Sequence, residues 1–106
     1  MGCLQVVTTT ETREEANRLA RIMVERRLAA CAQVVGPIAS TYWWNEVLET
    51  STEWQCVLKT TTARFEELRE RLAAEHSYET PEIVATPIVA GSTAYLDWVE
   101  RETRGQ

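Results

Sequence analysis

The one histidine of this chain is followed by two glutamates at intervals of three residues. His76, Glu79 and Glu82 offer an imidazole and two carboxylates, and this donor set suits zinc or copper. Because the chain has no second histidine, we expect such a divalent metal to bind weakly and folding not to need it. In the other interpretation His76 is structural and interacts with the last carbonyl groups of the preceding helix. A second copy of the chain could lend further ligands across an interface.

The sole lysine, Lys59, lies inside a predicted strand, where a charge is costly to bury unless it is paired. An acidic partner is expected, and the candidates are Glu49, Glu79 and Glu82. A buried pair of this kind is more often structural than functional. The alternative is a cleft for a small anion, lined by Gln33, Lys59, Tyr78 and Glu82.

Catalytic chemistry has no sequence support. No nucleophile stands beside a base, and the chain has neither G-x-S-x-G nor H-E-x-x-H nor a glycine-rich phosphate loop. The adjacent acidic pairs at 14–15 and 66–67 fall where helices start, and neighbours on a helix point in different directions. We therefore predict no catalytic residues and no enzymatic activity.

Length and charge exclude several classes of protein. The 106 residues, with 44% hydrophobic and 25% charged, predict one globular domain spanning 1–106. A formal charge of −5 opposes binding to nucleic acid or to anionic membranes. We therefore expect small molecules, a further copy of the chain or another protein as partners.

The cysteines indicate a reducing compartment. There are three of them, without a C-x-x-C spacing, which favours free thiols over a disulfide framework. Cys31 and Cys56 are predicted to pack as small apolar residues, whereas Cys3 is expected to be exposed near the chain start. No secretory signal pattern is recognised, so we expect a cytoplasmic location.

Hydrophobic periodicity predicts a β-α-β-β-α-β order followed by one more helix. A capping box of Thr12 and Glu15 marks the first helix start, and Gly36-Pro37 predicts a bulge in a long second strand. The predicted strands are 4–10, 30–44, 54–59 and 83–89, and a polar turn at 50–52, preceded by 47–49, is expected to lead into 54–59 as a hairpin. The helices are expected to follow Thr12, Thr61 or Thr62, and Ser92 or Thr93. The fold class is α+β: a ferredoxin-like split β-α-β sandwich with an extended hairpin of the second and third strands and a C-terminal helix.

Such a fold leaves one face of its sheet without helices. The predicted strands carry apolar residues at adjacent positions, as in Val6-Val7 and Ile83-Val84, so apolar side chains point to both faces. The hairpin adds the aromatic run 42–44. Exposed apolar patches of this size mark interfaces, so we predict that another copy or the terminal helix covers this face.

Seven segments together resemble one known family. They are 6–20 (VVTTTETREEANRLA), 24–31 (VERRLAAC), 42–44 (YWW), 58–60 (LKT), 76–82 (HSYETPE), 86–88 (TPI) and 91–98 (GSTAYLDW). In this order and spacing the chain resembles the CutA divalent-ion-tolerance family. It departs from the family pattern at Ser77, where proline is common, and at Asn45-Glu46, where a glycine-containing turn is usual.

The resemblance implies a homotrimer of ferredoxin-like subunits, built like PII-type signalling proteins, with a role in tolerance to divalent metals, chiefly copper. Some members of the family have a metal-binding cysteine near the position of Thr8, and this chain has no thiol there. The alternative function is a PII-like sensor or scaffold that binds an anionic metabolite at clefts between subunits and signals to a protein partner.

Overall fold

The fold is that of a ferredoxin-like α+β sandwich. The computed structural model describes residues 2–104. Within that range the elements are β1 (Cys3–Thr10), α1 (Arg13–Glu25), β2 (Cys31–Trp44), β3 (Val47–Thr61), α2 (Thr62–Glu75), β4 (Ile83–Pro87) and α3 (Thr93–Glu102). The strands form one antiparallel sheet in the order β2-β3-β1-β4. The predicted fold class is confirmed.

One face of the sheet carries the core beneath α1 and α2. Because side chains alternate along a strand, Val6 of β1 and Cys56 and Leu58 of β3 point to the same side. All three are fully buried. They pack in one cluster with Leu19 and Met23 of α1 and Leu68 and Leu72 of α2. The buried residues of α1 recur at helical spacing, so the helix predicted from hydrophobic periodicity lies on this face.

The start of α1 follows the predicted capping box in one half only. The Oγ1 atom of Thr12 accepts a hydrogen bond from the backbone N–H of Glu15 at 3.1 Å. The carboxylate of Glu15 does not return to Thr12, because it accepts two bonds from Ser77 instead, each 2.8 Å long. The cap therefore also ties α1 to the segment that follows α2.

The hairpin of β2 and β3 is longer than the sequence indicated. The predicted turn at 50–52 is wrong: these residues pair with Thr41, Ser40 and Ala39 inside the ladder. The turn lies at Asn45 and Glu46, which both have positive φ angles of 50° and 64°. Two such residues form the tight turn whose twist matches a hairpin. The bulge predicted at Gly36-Pro37 is confirmed between Val35 and Ile38.

Two further expectations are wrong: the end of the last strand and the exposure of Cys3. The last strand stops at Pro87 instead of 89, and the next backbone N–H, that of Ile88, donates to the carbonyl of Cys3. Cys3 is only 6% exposed, because α3 folds over it and packs Val99 into the same cluster. Burial raises the pKa of the Cys3 thiol, which lowers its reactivity.

The C-terminal helix covers part of the second face of the sheet. The Oγ atom of Ser92 caps it by accepting from the N–H of Tyr95, as predicted. The hydroxyl of Tyr95 lies 3.2 Å from the sulfur of Cys31, and this contact raises the pKa of Tyr95 to about 12. Cys31 is half-buried rather than fully buried, whereas Cys56 lies in the core. All three cysteines are free thiols, as predicted.

Beyond α3 this second face remains open. Val84, Val7 and Val57 stand side by side in register on β4, β1 and β3. Val84 is 50% exposed, and Val35 nearby on β2 is 47% exposed. The predicted apolar face is therefore present, and α3 hides only one end of it. Among residues 2–104 no helix has the length and apolar character to cross a membrane.

Candidate functional site

The candidate site lies at the end of the sheet where β1 stops and the hairpin continues. β1 ends at Thr10, opposite Trp54 of β3, whereas the β2–β3 ladder extends to Trp44 and Val47. Residues 76–82 connect α2 to β4 and pass this end. Side chains of this connection contact the end of β1 through His76 and β3 through Tyr78.

His76 fixes the start of the connection. Its side chain is 0% exposed. Nδ1 accepts a hydrogen bond from the backbone N–H of Tyr78 at 3.1 Å, so the ring proton belongs on Nε2. Nε2 donates to the carbonyl oxygen of Thr9 at 2.9 Å and lies 3.1 Å from Oγ1 of Thr8. Both ring nitrogens are thus occupied.

Ser77 adds a second anchor. Its N–H and its hydroxyl both donate to the carboxylate of Glu15, which also lies 3.7 Å from Nδ1 of His76. A proline at this position would have neither donor. Ser77 therefore ties the connection to α1 through two hydrogen bonds that proline would not supply.

Tyr78 reaches round the end of β1 to the hairpin. Its hydroxyl donates to Oε2 of Glu53 at 2.7 Å, and its ring packs on His76 with centroids 5.0 Å apart. Burial, followed by the hydrogen bond and charge of Glu53, raises the pKa of Tyr78 above its usual range. Tyr78 therefore stays neutral and keeps donating to Glu53 at physiological pH.

Around this pair lies a cavity of about 730 Å³, a volume within the range of small-molecule sites. Its carboxylates are Glu11, Glu53, Glu79 and Glu82. Its aromatic side chains are Tyr42, Trp44 and Tyr78. The other lining residues are serines and threonines of β1, the hairpin and the connection. We call this the acidic cavity.

The acidic cavity attracts cations. Its lining contains four glutamates and no lysine, arginine or histidine among residues 2–104. Like charges gathered in a cleft produce a negative potential that concentrates cations and repels anions. An anionic ligand, as in the alternative function, is disfavoured at this position.

The predicted metal-ligand set is split. Glu79 and Glu82 line the acidic cavity, but His76 is turned inward, with both nitrogens in hydrogen bonds to the chain itself. No three His, Cys, Asp or Glu side chains of residues 2–104 come together in a way that could hold a metal ion. His76, Glu79 and Glu82 thus do not fit a shared metal within one chain. The structural interpretation of His76 fits, but its partners lie on β1 and in the connection and not on α2.

The predicted anion cleft is also split. Tyr78 and Glu82 line the acidic cavity, whereas Lys59 donates to Oε1 of Gln33 at 3.4 Å. Lys59 pairs with Gln5, four positions along β1 from Thr9 at the cavity, which corresponds to about 13 Å. The acidic partner expected for Lys59 is replaced by the amide of Gln33. A single chain does not unite these four residues.

Sequence reasoning missed Glu53 and the role of the hairpin aromatics. Glu53 is only 8% exposed, although it lies in a segment that was expected to follow a turn. The sequence offers one signal for its position: Glu53 continues the polar side of the alternating strand, two residues before Gln55, so the two side chains lie on the same face. Tyr42 and Trp44 were assigned to an interface, and the structure also places them in the wall of the acidic cavity.

Comparison with known proteins places the chain in a family. The sequence model of the family described as "CutA1 divalent ion tolerance protein" matches residues 4–102. This chain belongs to the CutA family. The CutA protein of Thermus thermophilus is 42% identical over 98 residues, covering 92% of this chain and 95% of that protein. That of Archaeoglobus fulgidus is 40% identical over 95 residues, covering 90% of this chain and 92% of that protein.

Solved CutA structures share the fold. The Thermus thermophilus structure superposes with a TM-score of 0.93 at 40% identity, covering 96% of this chain and 99% of that one. The CutA1 structure from Oryza sativa has a TM-score of 0.95 at 34% identity, covering 100% of this chain and 97% of that one. The resemblance to the CutA family read from the sequence is confirmed.

Proposed function

We propose that this chain acts in divalent-cation tolerance by binding a divalent cation, chiefly copper, weakly and without catalysing a reaction, as a homotrimer. The similar proteins named above are called divalent-cation tolerance proteins. One observation carries the binding role: glutamates are the only charged residues in the lining of the acidic cavity within the described part of the chain. A negative cavity draws cations from solution.

Glu79 and Glu82 supply the metal-binding oxygens in this proposal. Both are exposed side chains in the connection that lines the cavity, so a cation reaches them without any rearrangement of the fold. Fewer than three such groups converge within residues 2–104. A cation held by so few protein oxygens keeps most of its water, which makes binding weak. Copper(II) ranks above zinc for a given set of ligands.

A binding role is also supported by what the cavity offers chemically. In the part of the chain that the structure describes, the serines and threonines of the lining have no imidazole or amine beside them in the cavity, and histidine is the base that most often activates a hydroxyl as a nucleophile. The phenol of Tyr78 is held neutral by its raised pKa.

Titration of copper(II) and zinc tests the metal site. We expect the Glu79→Gln/Glu82→Gln variant to bind each metal about tenfold more weakly than the unchanged protein, which equals about 1.4 kcal/mol. The control is Glu14→Gln/Glu70→Gln, which makes the same charge change at two exposed helix positions. Isothermal titration calorimetry measures all three proteins. Equal affinities in all three would remove the carboxylate site.

The homotrimer is supported by the open face of the sheet and by the hairpin. Trp43 is 71% exposed and Leu48 is 60% exposed, and the two pair across the hairpin. Val35 and Val84 add half-exposed apolar surface on the sheet. Association would remove this surface from water, at about 25 cal/mol per Å² of apolar area.

Light scattering at low protein concentration tests the assembly. We expect a mass of about three times the 12.1 kDa of the chain. Val84→Glu, which places a charge on the open face, is expected to lower that mass, whereas Val24→Glu, at an exposed position of α1, leaves it unchanged. A monomeric unchanged protein at these concentrations contradicts the proposal.

A further inference from the structure

Glu53 is a largely buried carboxylate that has no positive partner among residues 2–104. It is 8% exposed, and its only hydrogen bond within residues 2–104 comes from the neutral hydroxyl of Tyr78 to Oε2. No arginine or lysine of that range forms an ion pair with it, whereas six other glutamates pair with arginine. Removing a carboxylate from water without a counter-charge is unfavourable. The arrangement therefore favours a cation beside Glu53.

Aromatic rings stand in the same cavity. The hydroxyl of Tyr42 is held at 3.0 Å from Oγ of Ser51 across the hairpin, which fixes the orientation of its ring. Trp44 lies two residues further along the same strand and is 49% exposed. Ring faces of tyrosine and tryptophan attract ammonium groups, and they also cover aliphatic chains.

We propose that the acidic cavity binds an organic ammonium cation. Its head group lies against Glu53, and its aliphatic part lies along Tyr42 and Trp44. An ammonium group donates three hydrogen bonds, for which the free oxygen of Glu53 and the serine and threonine hydroxyls of the lining are acceptors. The volume of about 730 Å³ exceeds what a bare metal ion needs and fits a small organic molecule.

This inference goes beyond the proposed function and does not depend on it. The metal proposal relies on Glu79 and Glu82 at exposed positions, whereas the organic cation relies on the buried Glu53 and on the aromatic wall. Either ligand can bind in the absence of the other. Variants at the two sets of residues separate the failure of one proposal from the failure of the other.

The test titrates the whole protein, in its native assembly, with 1,4-diaminobutane. Adipate, which carries carboxylates at the ends of the same four-carbon spacer, is the charge-reversed probe. We expect the diamine to bind with a dissociation constant near 1 mM or below and adipate not to bind. Glu53→Gln keeps an acceptor for the Tyr78 hydroxyl and is expected to weaken binding at least about tenfold.

Two further variants make the test specific. Trp44→Leu keeps an apolar side chain but removes the ring face, and we expect binding about three- to fivefold weaker. Glu70→Gln changes the same charge on an exposed turn of α2 and is expected to bind as the unchanged protein does. Circular dichroism checks that each variant is folded.

Three results overturn the proposal. The first is no diamine binding by the unchanged protein, which would mean that a neighbouring subunit or solvent alone fills the cavity. The second is equal binding by Glu53→Gln. The third is a loss in Glu70→Gln as large as that in Glu53→Gln, which would reduce the effect to the net charge of the chain.

Discussion

Replacing His76 with alanine is expected to lower the free energy of unfolding by about 3 kcal/mol. The imidazole is 0% exposed, so its removal leaves a cavity. It also leaves the carbonyl of Thr9 and the N–H of Tyr78 without the partners they have in the ring. Buried backbone groups left unpaired are expensive. Urea unfolding monitored by circular dichroism measures the loss.

Two other variants separate the ring's hydrogen bonds from general sensitivity of the connection. Ser77→Ala removes one exposed hydrogen bond to Glu15 and is expected to cost less than about 1 kcal/mol. His76→Gln can replace one ring contact but not both, so its loss should fall between the two. A loss below about 1 kcal/mol in His76→Ala would contradict the structural role of the imidazole.

The same contacts make His76 a positioning residue for the acidic cavity. Nδ1 holds the backbone of Tyr78, and the hydroxyl of Tyr78 holds Glu53. This series of hydrogen bonds, from β1 through His76 and Tyr78 to Glu53, explains why the lone histidine lies beside the acidic cavity without lining it. The three-residue spacing of His76, Glu79 and Glu82 therefore reflects the path of the connection past the end of the sheet and not a shared metal site within one chain.

Local signals predicted much of the fold. The Thr12 cap, the helical spacing of apolar residues in α1 and the bulge at Gly36-Pro37 each depend on residues close together in the sequence. The local pattern misplaced the hairpin turn, because Asn45-Glu46 contains no glycine and because three consecutive hydroxyl residues at 50–52 resemble a polar turn. Only the resemblance to the family pointed to a turn at Asn45-Glu46. In a projecting two-stranded ladder both faces meet water, so polar β-branched residues continue the strand.

The composition of the candidate site could not be predicted, because it depends on contacts between residues that are far apart in the sequence. Glu53 becomes buried because Tyr78, 25 residues away, crosses the end of β1 to meet it. Lys59 and Tyr78 were grouped by chemistry, but the register of β1 with β3 separates them along the sheet. Residue type predicted which groups needed partners, and tertiary structure decided which partners they have.

Alkaline pH is expected to destabilise the fold through Cys56. This thiol is 0% exposed, and burial raises its pKa from 9.0 to about 12. The folded state therefore keeps a proton that the unfolded chain releases. The stability from this group is fully present below pH 9, and it is lost progressively as the pH rises through the folded pKa near 12. By pH 11 the loss from Cys56 is about 3 kcal/mol.

Urea unfolding at pH 8 and pH 11 measures this effect. In Cys56→Ala the decrease between the two pH values should be smaller by about 3 kcal/mol, even though the lost sulfur lowers stability at both. The raised pKa values of Tyr78 and Tyr95 act in the same direction above pH 10 and remain in that variant. Cys31→Ala, at a half-buried site, should keep most of the decrease. If Cys56→Ala lost as much stability on alkalinisation as Cys31→Ala, the buried thiol would not be the group that links this core to pH.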